Sequence, residues 1–215
     1  MKAIARFLCV LLVSSCANPA RERLEKTSVL TYDSTTGRLA EVTHDANGNG
    51  RIDTWVEMDG SLPVRSRLDR DEDGRIERWE YYDGQGRISK VGYSRGNDGT
   101  LDAWAYAGMS GRVERIELSS SADENKIDRW ERYDATGLEA ADEDTDGDGI
   151  ADKWETYEGG SLNTAAFDET HDGRPDRRLN YSGGVLASID SAPDVDGQFT
   201  RNTDVRPAHN PPDRP

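Results

Sequence analysis

The chain has 215 residues, enough for one or two domains, yet only 34% are hydrophobic, 32% are charged and the mean hydropathy is −0.85. So little apolar material cannot fill a large core, so order must draw on something else, and bound cations are the natural candidate. The formal charge of −15 argues against a nucleic-acid partner and for divalent cations.

Residues 1–15 read as a signal peptide. Lys2 and Arg6 flank the start of an apolar run from Phe7 to Val13, too short to span a bilayer, and small residues follow. The tetrapeptide Val13-Ser14-Ser15-Cys16 resembles the lipobox of bacterial lipoproteins. That resemblance implies cleavage before Cys16 and acylation of its side chain by palmitate-like chains, which anchor stably when two or more are present. Ala17 is not the aspartate that retains such proteins at the inner membrane, so the resemblance implies a lipid anchor in the outer membrane. Residues 16–27 then form a polar tether whose Arg21, Arg23 and Lys26 suit anionic head groups. Cys9 lies in the removed segment, so the mature chain has no disulfide, and loss of Lys2 and Arg6 takes its charge from −15 to −17.

Residues 28–200 carry a repeat. Trp55, Trp79, Trp104, Trp130 and Trp154 are separated by 24, 25, 26 and 24 residues, and Gly50, Gly74, Gly99, Asn125, Gly149 and Gly173 keep the same beat. Each tryptophan is followed by Met58, Tyr82, Tyr106, Tyr133 or Tyr157, then by a turn such as Asp83-Gly84-Gln85-Gly86 or Gly159-Gly160. After the turn, apolar residues alternate with the first out of phase, as at Ile88, Val91 and Tyr93, which suggests a bulge. The predicted fold is all-β: tandem hairpins in an elongated open sheet or solenoid, the tryptophans stacked as its core. The alternative is a short helix after each loop, since Ile76, Trp79 and Tyr82 are spaced by three; but fewer than ten residues separate loop glycine from turn, too few for a stable helix. Residues 201–215 hold four of the eight prolines and read as a disordered tail.

The loops between hairpins carry the chemistry. Asp69 to Glu80 places oxygens at Asp69, Asp71, Asp73, the Arg75 carbonyl, Glu77 and Glu80, which are positions 1, 3, 5, 7, 9 and 12 of a calcium loop, with Gly74 at the turn. Asp144, Asp146, Asp148, the Ile150 carbonyl, Asp152 and Glu155 repeat the set in full. The loop from Asp45 keeps Asp45, Asn47, Asn49, the Arg51 carbonyl and Asp53 but has Val56 at position 12, unless Glu57 substitutes. The loop from Asp168 keeps Asp168, Asp172 and Asp176, while those starting at Ser94 and Ser120 lose most ligands. The loops resemble EF-hand and thrombospondin type 3 calcium loops, and the segments between them resemble the YD-type hairpins of bacterial surface proteins.

Together these features predict a calcium-binding envelope lipoprotein in which Ca²⁺ stabilises the repeats. Its role would be structural, adhesive or partner-binding, toward an envelope protein or polysaccharide; the alternative is a calcium-responsive regulator. No enzyme is predicted, because His44, His171 and His209 are far apart in sequence and the carboxylates are accounted for by the loops.

Overall fold

The computed structural model describes residues 26–121 and 126–205; the signal peptide, Cys16, Asn125 and residues 206–215 lie outside them. The described chain is all-β, with fifteen strands in one antiparallel sheet whose spatial order is the sequence order. The strands are β1 (Ser28–Tyr32), β2 (Leu39–His44), β3 (Thr54–Asp59), β4 (Leu62–Leu68), β5 (Arg78–Tyr82), β6 (Ile88–Tyr93), β7 (Ala103–Ala107) and β8 (Val113–Leu118). There follow β9 (Arg129–Tyr133), β10 (Leu138–Glu143), β11 (Lys153–Glu158), β12 (Ser161–Phe167), β13 (Arg177–Ser182), β14 (Val185–Pro193) and β15 (Phe199–Asp204). The sheet is open, since β1 pairs only with β2 and β15 only with β14. All substantial contacts join strands adjacent in sequence, so no second layer of described residues covers either face.

A meander of this kind puts alternate connections on opposite edges: the seven hairpin turns from β1–β2 to β13–β14 lie along one, and the six long loops together with the short β14–β15 turn lie along the other. Three of the turns are closed by an aspartate side chain: Asp33 accepts from the N–H groups of Thr35 and Thr36, Asp83 from those of Gln85 and Arg87, and Asp134 from those of Thr136 and Gly137. Beside each turn the register slips by one residue, as between Tyr81 and Tyr82 opposite Ile88 and Lys90, which is the bulge that the out-of-phase residue predicts. The helix alternative is therefore excluded.

Directly paired residues face the same side of a sheet, so the strand pairing sorts the repeat into two faces. On one, the five tryptophans lie in a single row on alternate strands, separated by Arg67, Gly92, Glu117 and Asp142. They do not stack on one another, because an intervening strand keeps successive rings about 10 Å apart. Each covers its neighbours instead. Lys90 lies 3.7 Å from the centre of the Trp104 ring, and Tyr81 meets the same ring at 5.6 Å. Gly92 leaves the space that Trp104 uses: a Cβ there would sit 2.6 Å from Leu101 and 3.0 Å from the Trp104 ring. Gly92→Ala is expected to cost about 1–3 kcal/mol by overpacking, read from a urea midpoint. An unchanged midpoint would show that the ring has room to move.

The other face is built from alternate residues Arg78-Glu80-Tyr82, Arg129-Glu131-Tyr133 and Lys153-Glu155-Tyr157. Each glutamate accepts from its flanking cation and tyrosine, as Glu80 does from Arg78 Nε and Tyr82 OH, both at 2.7 Å. Small residues let these long side chains lean over: Ala141, 1% exposed, is paired with Glu131 and Glu155. The buried apolar residues are accordingly Val91 and six alanines. Tyr106 lies on the tryptophan face, two residues after Trp104 rather than three, so its place in the predicted aromatic series is corrected.

The predicted tail boundary also moves. Arg201 to Asp204 belong to β15, held not by apolar residues but by a polar clasp around buried Asp190. Asp190 accepts from Asn202 Nδ2 at 2.6 Å, Arg178 Nη2 at 2.7 Å and Asn180 Nδ2 at 2.9 Å, which ties three strands together. These bonds, led by that from Asn180, hold its carboxyl down to about 2. A lowered pKa stabilises above the ordinary carboxylate value, and the contribution disappears as pH falls toward 2. Amide signals of β14 and β15 are expected to broaden or shift in that window, and Asp190→Asn to remove the dependence.

Candidate cation-binding edge

The loop edge carries a short turn at 194–198 and six long segments, 45–53, 69–77, 94–102, 119–128, 144–152 and 168–176, whose described residues follow one plan. The N–H of the ninth residue closes each loop onto the carbonyl preceding the first, as Glu77 does on Leu68 at 3.0 Å and Asp152 on Glu143 at 2.9 Å. The N–H of the first residue bonds the ninth carbonyl of the loop before, as Asp69 does on Asp53 at 2.9 Å and Asp168 on Asp152 at 2.8 Å. The loops thus form a continuous backbone ladder. Ser119, not Ser120, bonds the carbonyl of Asp102 and is buried like the other first residues, so the 26-residue tryptophan spacing reflects one residue inserted in the fourth loop.

Within a loop the acidic side chains bind backbone before anything else. The first aspartate takes the glycine N–H: Asp45 from Gly50, Asp69 from Gly74, Asp144 from Gly149 and Asp168 from Gly173, at 2.7–3.0 Å. The glycine is required, since φ is +91° at Gly74 and +93° at Gly149. The ninth residue takes the second N–H, as Asp53 does from Ala46, Glu77 from Arg70, Asp152 from Thr145 and Asp176 from Glu169. Asn49, Asp73, Asp148 and Asp172 accept from the residue two further on. Burial pushes Asp144 up, but the N–H groups of Gly149 and Gly147 outweigh it and hold the carboxyl below its ordinary value; Asp45 and Asp168 are depressed in the same way. They are carboxylates at neutral pH, aimed inward.

Among the described residues, three groups bring ligand atoms within 4.8 Å of one another: Asp69, Asp71 and Glu77; Asp144, Asp146 and Asp148; and Asp146, Asp152 and His171. The first differs from the rest. Asp69 is 5% exposed, and its Oδ1 and the Oε2 of Glu77 are buried with no hydrogen-bond partner. Asp144, by contrast, has one oxygen on Gly147 and the other on Gly149. Two buried, unpaired carboxylate oxygens on residues of one such group fit a cation, which would satisfy both.

The position-12 ligands are corrected. Glu80 and Glu155 lie in β5 and β11, bound on the sheet face to Arg78, Tyr82 and Ser66, and to Lys153, Tyr157 and Arg129. An EF-hand returns its twelfth residue to the ion on a helix; here the chain has already entered a strand. Glu57, the substitute for Val56, pairs with Arg65 instead. Asp73 is engaged by Arg75, and Asn47 and Asn49 both donate to Glu72 Oε1 of the next loop at 2.6 Å. Arg51 pairs with the same Glu72, so Asn47, Asn49 and Arg51 of the first loop are turned toward an anion of the next loop. Ile150 is 64% exposed.

The fourth residue of a loop, missed in the sequence, reaches back to the third residue of the loop before. Glu72 meets Asn47, Asn97 donates to Asp71 Oδ2 at 2.6 Å, and His171 Nδ1 lies 3.2 Å from Asp146. All three have left-handed φ, 59°, 51° and 57°, which points the side chain along the ladder. The only sequence signal is a bulky residue where Gly48 and Gly147 stand elsewhere.

No protein-family model matches the chain, and no curated protein matches it. Among solved structures that match is one of accessory secretory protein 1, 2 and 3 in Streptococcus pneumoniae, at 16% identity and a TM-score of 0.37. The match covers 49% of this chain and 19% of that one, so the chain spans about a fifth of its length.

Proposed function

We propose that the protein is a calcium-binding lipoprotein of the bacterial envelope, anchored in the outer membrane through Cys16, in which cations along the loop edge stiffen a one-layer sheet for a structural or adhesive role. The observation that carries the calcium reading is the pair of buried, unpartnered oxygens of Asp69 and Glu77 beside Asp71. An all-oxygen anionic set suits a hard cation, and Ca²⁺ tolerates irregular coordination that Mg²⁺ does not. The second cation position is the Asp144, Asp146 and Asp148 group. The anchor rests on the lipobox-like residues Val13 to Cys16.

The structural role is favoured over a calcium switch because each loop is already closed by its own backbone and aspartate bonds, so binding has little rearrangement to drive. The reading contains no catalytic step. Calcium-free protein titrated by calorimetry tests it: the wild type is expected to bind calcium, and Asp69→Asn, which keeps an oxygen for Gly74 N–H, to lose about one ion. Unchanged stoichiometry in a folded variant would remove the 69–77 loop from the reading.

A further inference from the structure

The two acidic groups that could hold a cation receive different donors from the next loop. At the 69–77 loop the reach-back residue is Asn97, whose amide bonds Asp71. At the 144–152 loop it is His171, whose Nδ1 lies 3.2 Å from Asp146 Oδ2, within the 4.8 Å group that includes Asp152. Asp152 is 7% exposed, and a cleft of about 170 Å³ between the two loops is walled by Asp152 and Asp148 on one side and His171 and Asp168 on the other. The left-handed backbone at His171, φ 57°, keeps the imidazole pointed at this junction.

We propose that the junction of the 144–152 and 168–176 loops is a mixed nitrogen–oxygen site for a first-row divalent transition ion of the zinc class, with His171, Asp146 and Asp152 as ligands. An imidazole nitrogen is a poor donor for calcium and a good one for zinc, nickel or copper, whereas carboxylates serve either kind of ion. The 69–77 loop thus offers an all-oxygen position and this junction one with imidazole, and because Asp146 also belongs to the Asp144, Asp146 and Asp148 group, an ion here and an ion there compete for it. Neighbouring carboxylates Asp144, Asp148 and Asp168 supply a negative field that favours any divalent ion, so the imidazole sets the selectivity. The inference rests on reading the 144–152 loop as a cation loop, but not on calcium filling the 69–77 loop.

The test uses Zn²⁺ alone as the probe, added to calcium-free full-length mature protein and followed by calorimetry and by the His171 imidazole signals in NMR, with calcium titrated in a separate experiment. His171→Asn keeps a residue that tolerates this backbone, as Asn97 does in the equivalent place. The wild type is expected to bind one zinc ion with a shift of the His171 signals. His171→Asn is expected to weaken binding by at least the roughly 10- to 100-fold that disturbing a ligand's surroundings costs, with calcium binding at the 69–77 loop unchanged. Zinc affinity equal in the two proteins, or no zinc bound by the wild type, overturns the proposal. Zinc binding that follows His171 while no calcium binds at all would leave this site standing and remove the calcium reading.

Discussion

Stripping calcium with a chelator is expected to lower the melting temperature substantially, with restoration on adding calcium back. A ligand that binds only the folded form at 100 times its Kd adds about 2.7 kcal/mol per site, which for a chain of this size corresponds to roughly 5–10 °C. The effect should be large here because the sheet has so little else: seven buried apolar residues, six of them alanine, and no second layer among the described residues. Without an ion, Asp69 Oδ1 and Glu77 Oε2 remain buried carboxylate oxygens with nothing to bind. Asp69→Asn should show a smaller calcium-dependent shift than the wild type. A melt that ignores the chelator would mean that the backbone ladder alone holds the loops.

Arg129→Met is expected to destabilise by about 2–3 kcal/mol, seen as a lower urea midpoint. Arg129 Nε meets Glu131 at 2.9 Å, and Nη1 meets Glu143 and Glu155, each at 3.0 Å; Lys153 bonds the same Glu143 and Glu155 at 2.9 Å. Two cations thus serve three carboxylates, and removing Arg129 leaves Lys153 to serve Glu143 and Glu155 while Glu131 loses its cation. Breaking a buried pair costs about 3–5 kcal/mol, and partial solvent access reduces that here. Arg132→Met provides the contrast: its side chain is half exposed against Asp142, so about 1 kcal/mol or less is expected. Burial raises Glu155, but the bonds from Lys153, Tyr157 and Arg129 outweigh it and depress its pKa. A depressed carboxylate stabilises above its ordinary value of 4.5 and loses that contribution as pH falls below it. The variant should lose part of this acid sensitivity, whereas a purely steric role for Arg129 would leave it intact.

The hairpins were legible because Trp55 to Trp154 recur at a strand-and-turn period and because the displaced residue after each turn marks a bulge. Both signals are local. The faces were not legible, since whether tryptophans stack depends on the alternate strands that separate them, and Arg67 and Asp142 do not look like partners of a tryptophan row. The loops were legible as acidic and Gly-turned, but borrowing an EF-hand's twelfth position misplaced Glu80 and Glu155, whose alternation with Arg78 and Tyr82 or with Lys153 and Tyr157 was the better guide. His171 stands alone in the sequence because its partner Asp146 is 25 residues away in the preceding loop, a distance that only the ladder closes. Residues 201–204 read as tail because polar clasps such as that on Asp190 leave no hydrophobic periodicity.

The central claim is that cations at the loop edge hold the sheet together, and backbone hydrogen exchange with and without calcium tests it most directly. Calcium is expected to slow exchange at Gly74 and Glu77 and along β4 and β5, with a second centre at the 144–152 loop, and to leave the opposite turn edge nearly unchanged. Exchange that is the same in both conditions, or protection confined to the turn edge, would contradict the account.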